Sequence, residues 1–242
     1  MSEPILEAGG DPAGSSFQTT VATLVSPAEG FARLRVRPAF GLALAFLLLA
    51  GAVSVWVAMS RVTAQDFIDS IEDAGRPVPD AVRDDPDRFL TVARGSQTAF
   101  AVVGPAVVYA VVAGLFFGLL RLSGGDLRYR QSFATTVHGL LPFAIAAVLG
   151  TVVALGRDTI SLEELKWGGV LATNLGIFAG ESAGDVTRAL LTSVDLFSIW
   201  CIFLLATGFR IVAGVSARAA WLVVLAVWLG GVGLKVAATA IF

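Results

Sequence analysis

From Ala39 to Met59 the chain runs without a single charged residue. A bilayer's hydrocarbon core is about 30 Å thick, so a helix needs about 20 apolar residues to cross it. Four further stretches meet or approach that length: 99–120, containing Pro105; 133–155, containing Pro142; 195–212, opening on Asp195; and 219–241, whose only charge is Lys235. Lipid offers no partner to backbone N–H and C=O groups, so such runs are helices that close their own hydrogen bonds, not strands. Composition agrees: 56% of residues are apolar and 15% charged, against about 45–50% and about 25% in soluble domains. The expected fold is therefore all-α, a polytopic membrane helical bundle with five transmembrane helices.

Arginine placement orients it, because short cytoplasmic loops are enriched in basic residues. Arg33, Arg35 and Arg37 precede the first span; Arg121, Arg128 and Arg130 crowd the second loop; Arg210 and Arg218 flank the fourth. These regions share one side, read as cytoplasmic. The long loops 60–98 and 156–194 fall outside, which puts the N-terminus in the cytoplasm and the C-terminus outside. Residues 1–25 read as a disordered cytoplasmic tail without a basic signal-peptide region, and residues 26–242 as the five-span membrane domain.

Local signals fill in the flanks. Ser26-Pro27-Ala28-Glu29 reads as a capping box with proline at the first helical position. It should start a basic helix lying on the membrane surface, with Arg33, Arg35 and Arg37 facing anionic headgroups. Phe67, Ile68 and Ile71 share one helical face before Pro77–Pro79, and a helix beginning at Asp85-Pro86 should run into the second span. Ser161–Glu164 reads as another capping box. Ser182–Asp185 reads as a third, starting a helix expected to continue unbroken to about Ala213. Small residues four apart, Gly114 with Gly118 above all, form faces on which helices can approach closely, within the bundle or between copies.

One motif invites a catalytic reading. Gly180-Glu181-Ser182-Ala183-Gly184 matches the G-x-S-x-G nucleophile elbow of serine hydrolases. Such a serine needs a base within hydrogen-bond reach. His138, the single histidine of the chain, lies near the cytoplasmic start of the third span, and Ser182 lies beyond its outer end. The two face opposite sides of the membrane, and Ser182 reads as a helix cap. One cysteine and one histidine supply no zinc ligand set. The net charge of −2 carries no basic footprint for nucleic acid. No catalytic residue, metal or cofactor is expected.

Ionisable groups inside spans are functional candidates by default. His138 reads as an amphipathic ring at the interface, packed on a small surface such as Gly114, rather than as a proton sensor. Pro142, four residues on, removes the N–H that would bond the His138 carbonyl and should kink the helix. A hairpin centred near residue 215 brings Asp195 level with Lys235, so the two are expected to pair or share a water.

Three stretches resemble the bacterial branch of the Yip-one domain family, named for Ypt-interacting proteins. They are SPAEGFARLRVRP at 26–38, RQSFATTVHGLLPF at 130–143 and SVDLFSIWCIFLLATGFRIVAGVSARAAW at 193–221. The second carries Val137-His138-Gly139-Leu140-Leu141-Pro142 where eukaryotic members have a Gly-Tyr-x-Leu-x-Pro-like motif, with His138 in place of the tyrosine. The resemblance implies five spans with a cytoplasmic N-terminus, in a bacterial cytoplasmic membrane. The Asp-Leu-Tyr-Gly-Pro motif of eukaryotic members is not evident, so their GTPase partnership is not carried over. The expected role is a non-enzymatic, membrane-embedded interaction or organising module. Its expected partners are the lipid bilayer, other membrane proteins, or a second copy through small-residue faces. The alternative is a transporter or channel component using Asp195, Lys235 and His138.

Overall fold

A computed structural model describes residues 15–73, 75–180 and 183–241. Five helical units are long and apolar enough to cross a membrane: α3 (Gly41–Ser60), α6 (Pro86–Leu122), the pair α7 (Tyr129–Gly139) and α8 (Leu141–Leu155), α11 (Leu196–Ala213) and α12 (Ala217–Ile241). No strand occurs among the described residues, only one isolated bridge between Asn174 and Asp195. The five-span, all-α architecture read from hydropathy is the architecture found.

At one end of the bundle lie α1 (Ser16–Val25), α2 (Pro27–Val36) and the turns 123–128 and 214–216. At the other lie α4 (Ala64–Asp73), α5 (Asp80–Asp84), α9 (Leu162–Lys166), a 3₁₀ turn (Leu175–Phe178) and α10 (Asp185–Leu191). Helix α11 is the hub: 61% of its apolar window is buried, against 6% for α12. It packs on α2, α7, α8 and α12. Phe116, Leu120, Leu205 and Phe209 form the largest apolar cluster, with the Phe116 and Phe209 rings 4.6 Å apart.

The kink at Pro142 becomes a full break. Helix α7 ends at Gly139, and α8 begins at Leu141 with Pro142 in its first turn, where its missing N–H is harmless. Pro105, by contrast, sits inside a 37-residue α6 that runs continuously from Pro86, as the Asp85-Pro86 signal implied. Asp85 caps that helix by accepting from the Arg88 N–H at 3.2 Å. Ser161 caps α9 by accepting from the Glu164 N–H at 3.1 Å.

Three local expectations are corrected. Residues 16–25, read as part of a disordered tail, form α1. Ser15 and Gln18 cap it reciprocally, the Gln18 N–H to Ser15 Oγ at 3.2 Å and the Ser15 N–H to Gln18 Oε1 at 2.9 Å. Residues 1–14 of that tail lie outside the described residues. Ser26 does start α2 but makes no side-chain cap: the Glu29 N–H donates to the Ser26 carbonyl at 3.0 Å, the Ser26 N–H to the Ala22 carbonyl at 2.8 Å, and the Glu29 carboxylate pairs with Arg33. Helix α2 docks on the bundle through Phe31 and Leu34, fully buried with Ala134, Leu204 and Val212. The helix expected to run unbroken to Ala213 is two helices, α10 and α11, divided at residues 192–195. Helix α10 begins after Gly184, and the Ser182 cap lies outside the described residues.

Candidate functional site

The break between α10 and α11 organises a cavity of about 560 Å³. It follows from the Thr192-Ser193-Val194-Asp195 stretch, whose polar side chains compete for backbone hydrogen bonds and stop the helix. Thr192 Oγ1 donates back to the Arg188 carbonyl at 2.8 Å, and Ser193 Oγ to the Ala189 carbonyl at 2.7 Å. Asp195 then turns extended and caps α11. Its Oδ1 accepts from the Phe197 N–H at 2.7 Å and the Ser198 N–H at 3.2 Å. Its Oδ2 accepts from the Thr173 hydroxyl at 2.6 Å.

The loop before α10 is stitched to this break. The Leu175 N–H donates to the Val194 carbonyl at 3.0 Å, and the Leu196 N–H to the Thr173 carbonyl at 3.2 Å. Asn174, 8% exposed, folds its own turn by accepting from the Gly176 N–H at 2.8 Å. Gly168 and Gly169 precede it at φ +134° and +70°, a region closed to most side chains. A Cβ on Gly168 would also strike the Asn174 amide.

Lys235, on α12, completes the polar rim. Its ammonium donates to Thr192 Oγ1 at 2.8 Å and to Ser193 Oγ at 3.3 Å. Below the rim the lining turns apolar, with Phe116 from α6, Phe143 from α8, Ile202 and Leu205 from α11, and Val227 and Trp228 from α12.

Asp195 and Lys235 therefore line the same cavity, yet no ion pair joins them among the described residues. Of the expected pairing or shared water, the direct pair is not formed: the aspartate's partners are the N-terminus of α11 and Thr173, and the lysine's are two hydroxyls. His138 stands apart and is not part of that lining. It is 1% exposed, and its Nδ1–H donates to the Ala134 carbonyl at 2.9 Å. That bond satisfies one nitrogen of the buried ring, and Gly114 is not its packing surface, since nothing lies within 4 Å of a Cβ built there.

The small-residue face at Gly114 and Gly118 is open within the single chain. A Cβ added at Gly114 or Gly118 would meet nothing within 4 Å. The close approaches between helices occur at Gly30, Gly139 and Gly208, which the spacing rule did not single out. A Cβ on Gly30 would lie 2.5 Å from the Thr23 backbone nitrogen, fixing how tightly α1 and α2 pack. One on Gly139 would strike the Leu205 side chain, and one on Gly208 would lie 2.7 Å from the Phe31 ring.

At the opposite end, a second cavity of about 550 Å³ is bounded by Arg35, Arg128, Arg130, Gln131 and Asp126. Gln131 holds it together: its Nε2 donates to the Arg35 carbonyl at 2.7 Å, and its Oε1 accepts from the Arg128 N–H at 2.8 Å. Arg130 lies 6.0 Å from the centre of the Phe40 ring. Arg33 is drawn aside by Glu29, while Arg35 and Arg37 are exposed.

Residues 21–237 match the family described as the Yip1 domain. The chain is also similar to the membrane protein YknW of Bacillus subtilis (strain 168), 22% identical over 200 residues, covering 82% of this chain and 80% of the relative. No solved structure matches.

Proposed function

We propose, from the premise that the chain belongs to the Yip1 domain family, that it works without catalysis as a membrane-embedded organising module. In this reading it sits in a bacterial cytoplasmic membrane with the N-terminus inside and the C-terminus outside. It engages other membrane proteins or anionic headgroups at its basic end. One observation carries the reading: α2 is locked into the bundle through fully buried Phe31 and Leu34. Arg35 is thereby held beside Arg128 and Arg130 on a rigid surface. A floating helix would have to become ordered on binding; a docked one presents its basic surface preformed.

The test is photo-crosslinking in membranes from positions 32 and 124, with identification of what is captured. A specific membrane-protein partner, lost when Arg35, Arg128 and Arg130 are replaced by glutamine, supports the module. No partner, together with solute flux in proteoliposomes, supports the alternative of a transporter component. That alternative draws on the cavity holding Asp195 and Lys235, but His138 does not extend it across the bundle. Against catalysis, a fluorophosphonate probe should label neither wild type nor Ser182→Ala.

A further inference from the structure

We infer that the cavity between α6, α8, α11 and α12 holds an acyl chain of an anionic membrane lipid, its acidic headgroup seated on Lys235. The inference is independent of the basic end, which lies at the other end of the bundle. The argument begins with the shape. About 560 Å³ falls within the range of about 300–1,000 Å³ typical of ligand pockets. One end is polar and the remainder apolar, the profile of an amphiphile rather than of a hydrated ion.

The polar end has a definite sign. The Asp195 carboxylate is committed: two backbone N–H groups of α11 and the Thr173 hydroxyl occupy its two oxygens. Its charge is absorbed where a helix N-terminus favours one. Thr192 and Ser193 spend their own protons on the Arg188 and Ala189 carbonyls. Towards Lys235 they act as acceptors only. The ammonium has three N–H groups, and two are directed at these neutral hydroxyls. Its third N–H and its charge are left for an acceptor that the described residues do not provide. An acidic headgroup supplies that acceptor and the opposite charge.

The depth also fits. Lys235 lies six residues before Ile241, the end of α12, or roughly 9 Å along the helix. That places it near the headgroup level of one leaflet with the apolar lining directed inward. Lys235 and Gly231 rim the cavity and are themselves exposed, so a chain can enter sideways past α12 without crossing a headgroup barrier.

Trp228 on the lining provides the readout. The protein is placed in phosphatidylcholine nanodiscs doped with phosphatidylglycerol whose acyl chains are brominated. Quenching of Trp228 is taken as the difference between wild type and Trp228→Phe. Brominated phosphatidylglycerol should quench at mole fractions about tenfold lower than brominated phosphatidylcholine, the factor expected for a charge-assisted contact. Lys235→Met should abolish that preference. Ala146→Phe, which fills the cavity wall, should abolish the quenching while the charge remains. Lys166→Met, at the same end of the bundle but on α9, should change neither. Equal quenching by the two lipids in the wild type overturns the inference, whatever the variants do. So does full displacement of the brominated lipid by chainless glycerol phosphate, or unchanged selectivity in a folded Lys235→Met protein.

Discussion

Gly208→Ala is the substitution that most directly tests how the bundle is closed. The new Cβ would lie 2.7 Å and 2.8 Å from two carbons of the Phe31 ring and 2.8 Å from Thr135 Cγ2. Carbon atoms rest at about 3.5–4.0 Å, so ring and methyl must each retreat by nearly an ångström. Neither has room, because Phe31 and Thr135 are both 0% exposed. Overpacking of this kind costs about 1–3 kcal/mol. Alanine returns about 0.5–1 kcal/mol of helix preference over glycine. The net destabilisation is about 1 kcal/mol, a fall of about 2–4 °C in midpoint for a chain of this size.

Gly118→Ala is the internal comparison. Nothing lies within 4 Å of its Cβ, so only the gain of about 0.5–1 kcal/mol applies. The two variants should therefore separate by about 2 kcal/mol, or about 4–8 °C. The assay is thermal unfolding of the detergent-purified proteins, with tryptophan emission as the probe. Phe31→Leu added to Gly208→Ala should recover part of the loss, a coupling of about 0.5 kcal/mol or more. If Gly208→Ala matches wild type while Gly118→Ala falls, the small-residue face on α6 closes the structure instead, and the assignment of α11 as the hub is wrong.

Arg94 forks onto the Met59 carbonyl at 2.9 Å and the Val62 carbonyl at 2.8 Å, closing the C-terminal end of α3. Arg94→Ala should cost about 2–3 kcal/mol in thermal unfolding, and Arg94→Lys should restore less than half of it, since one ammonium cannot reproduce the fork. Asp195→Ala should cost about 1 kcal/mol through the lost cap and Asp195→Asn much less. The charge exchange Lys235→Asp with Asp195→Lys should give no rescue of expression, because neither residue is the other's partner. Reporter fusions at residues 125 and 163 should report opposite compartments, with the N-terminus on the side of residue 125.

The spans were legible because lipid imposes one rule on every residue in them: close the backbone and stay apolar. That rule needs no knowledge of neighbours. Packing does need it, and there spacing alone is not enough. Gly114 and Gly118 satisfy the spacing of a close-approach face, but spacing does not say which face meets another helix. Gly139 and Gly208 make the tight contacts, and neither was recognised by the four-residue rule. What marks them is company. Each lies in a stretch that resembles the family, 130–143 and 193–221, beside the aromatic or leucine partner on another helix that occupies the missing side chain's space. Helix α1 was missed for a different reason. Its Ser15…Gln18 capping box is a local signal that stands directly after the glycine- and proline-containing stretch 1–14.

The cavity was half legible, and the missing half explains the failed ion pair. Hairpin arithmetic brought Asp195 and Lys235 to one depth, and the structure puts both on one cavity. The arithmetic assumed that α11 extended back through Asp195 as ordinary helix. A helix interior offers a carboxylate no free backbone donor, so the lysine would have been its natural partner. At a helix start the first N–H groups are unsatisfied, and Asp195 takes two of them. The same Thr192–Asp195 run that stops α10 therefore reassigns both charges at once. It withdraws the aspartate into the backbone and turns two hydroxyl oxygens towards the lysine. The local choice between helix and cap decides whether the rim is neutral and closed or carries an available cation. Replacing Thr192 and Ser193 with alanine tests this directly. It should strip Lys235 of both partners while leaving the Asp195 cap in place. If Asp195 instead moved to pair with Lys235, the cap would be a weaker claim on the carboxylate than the geometry implies.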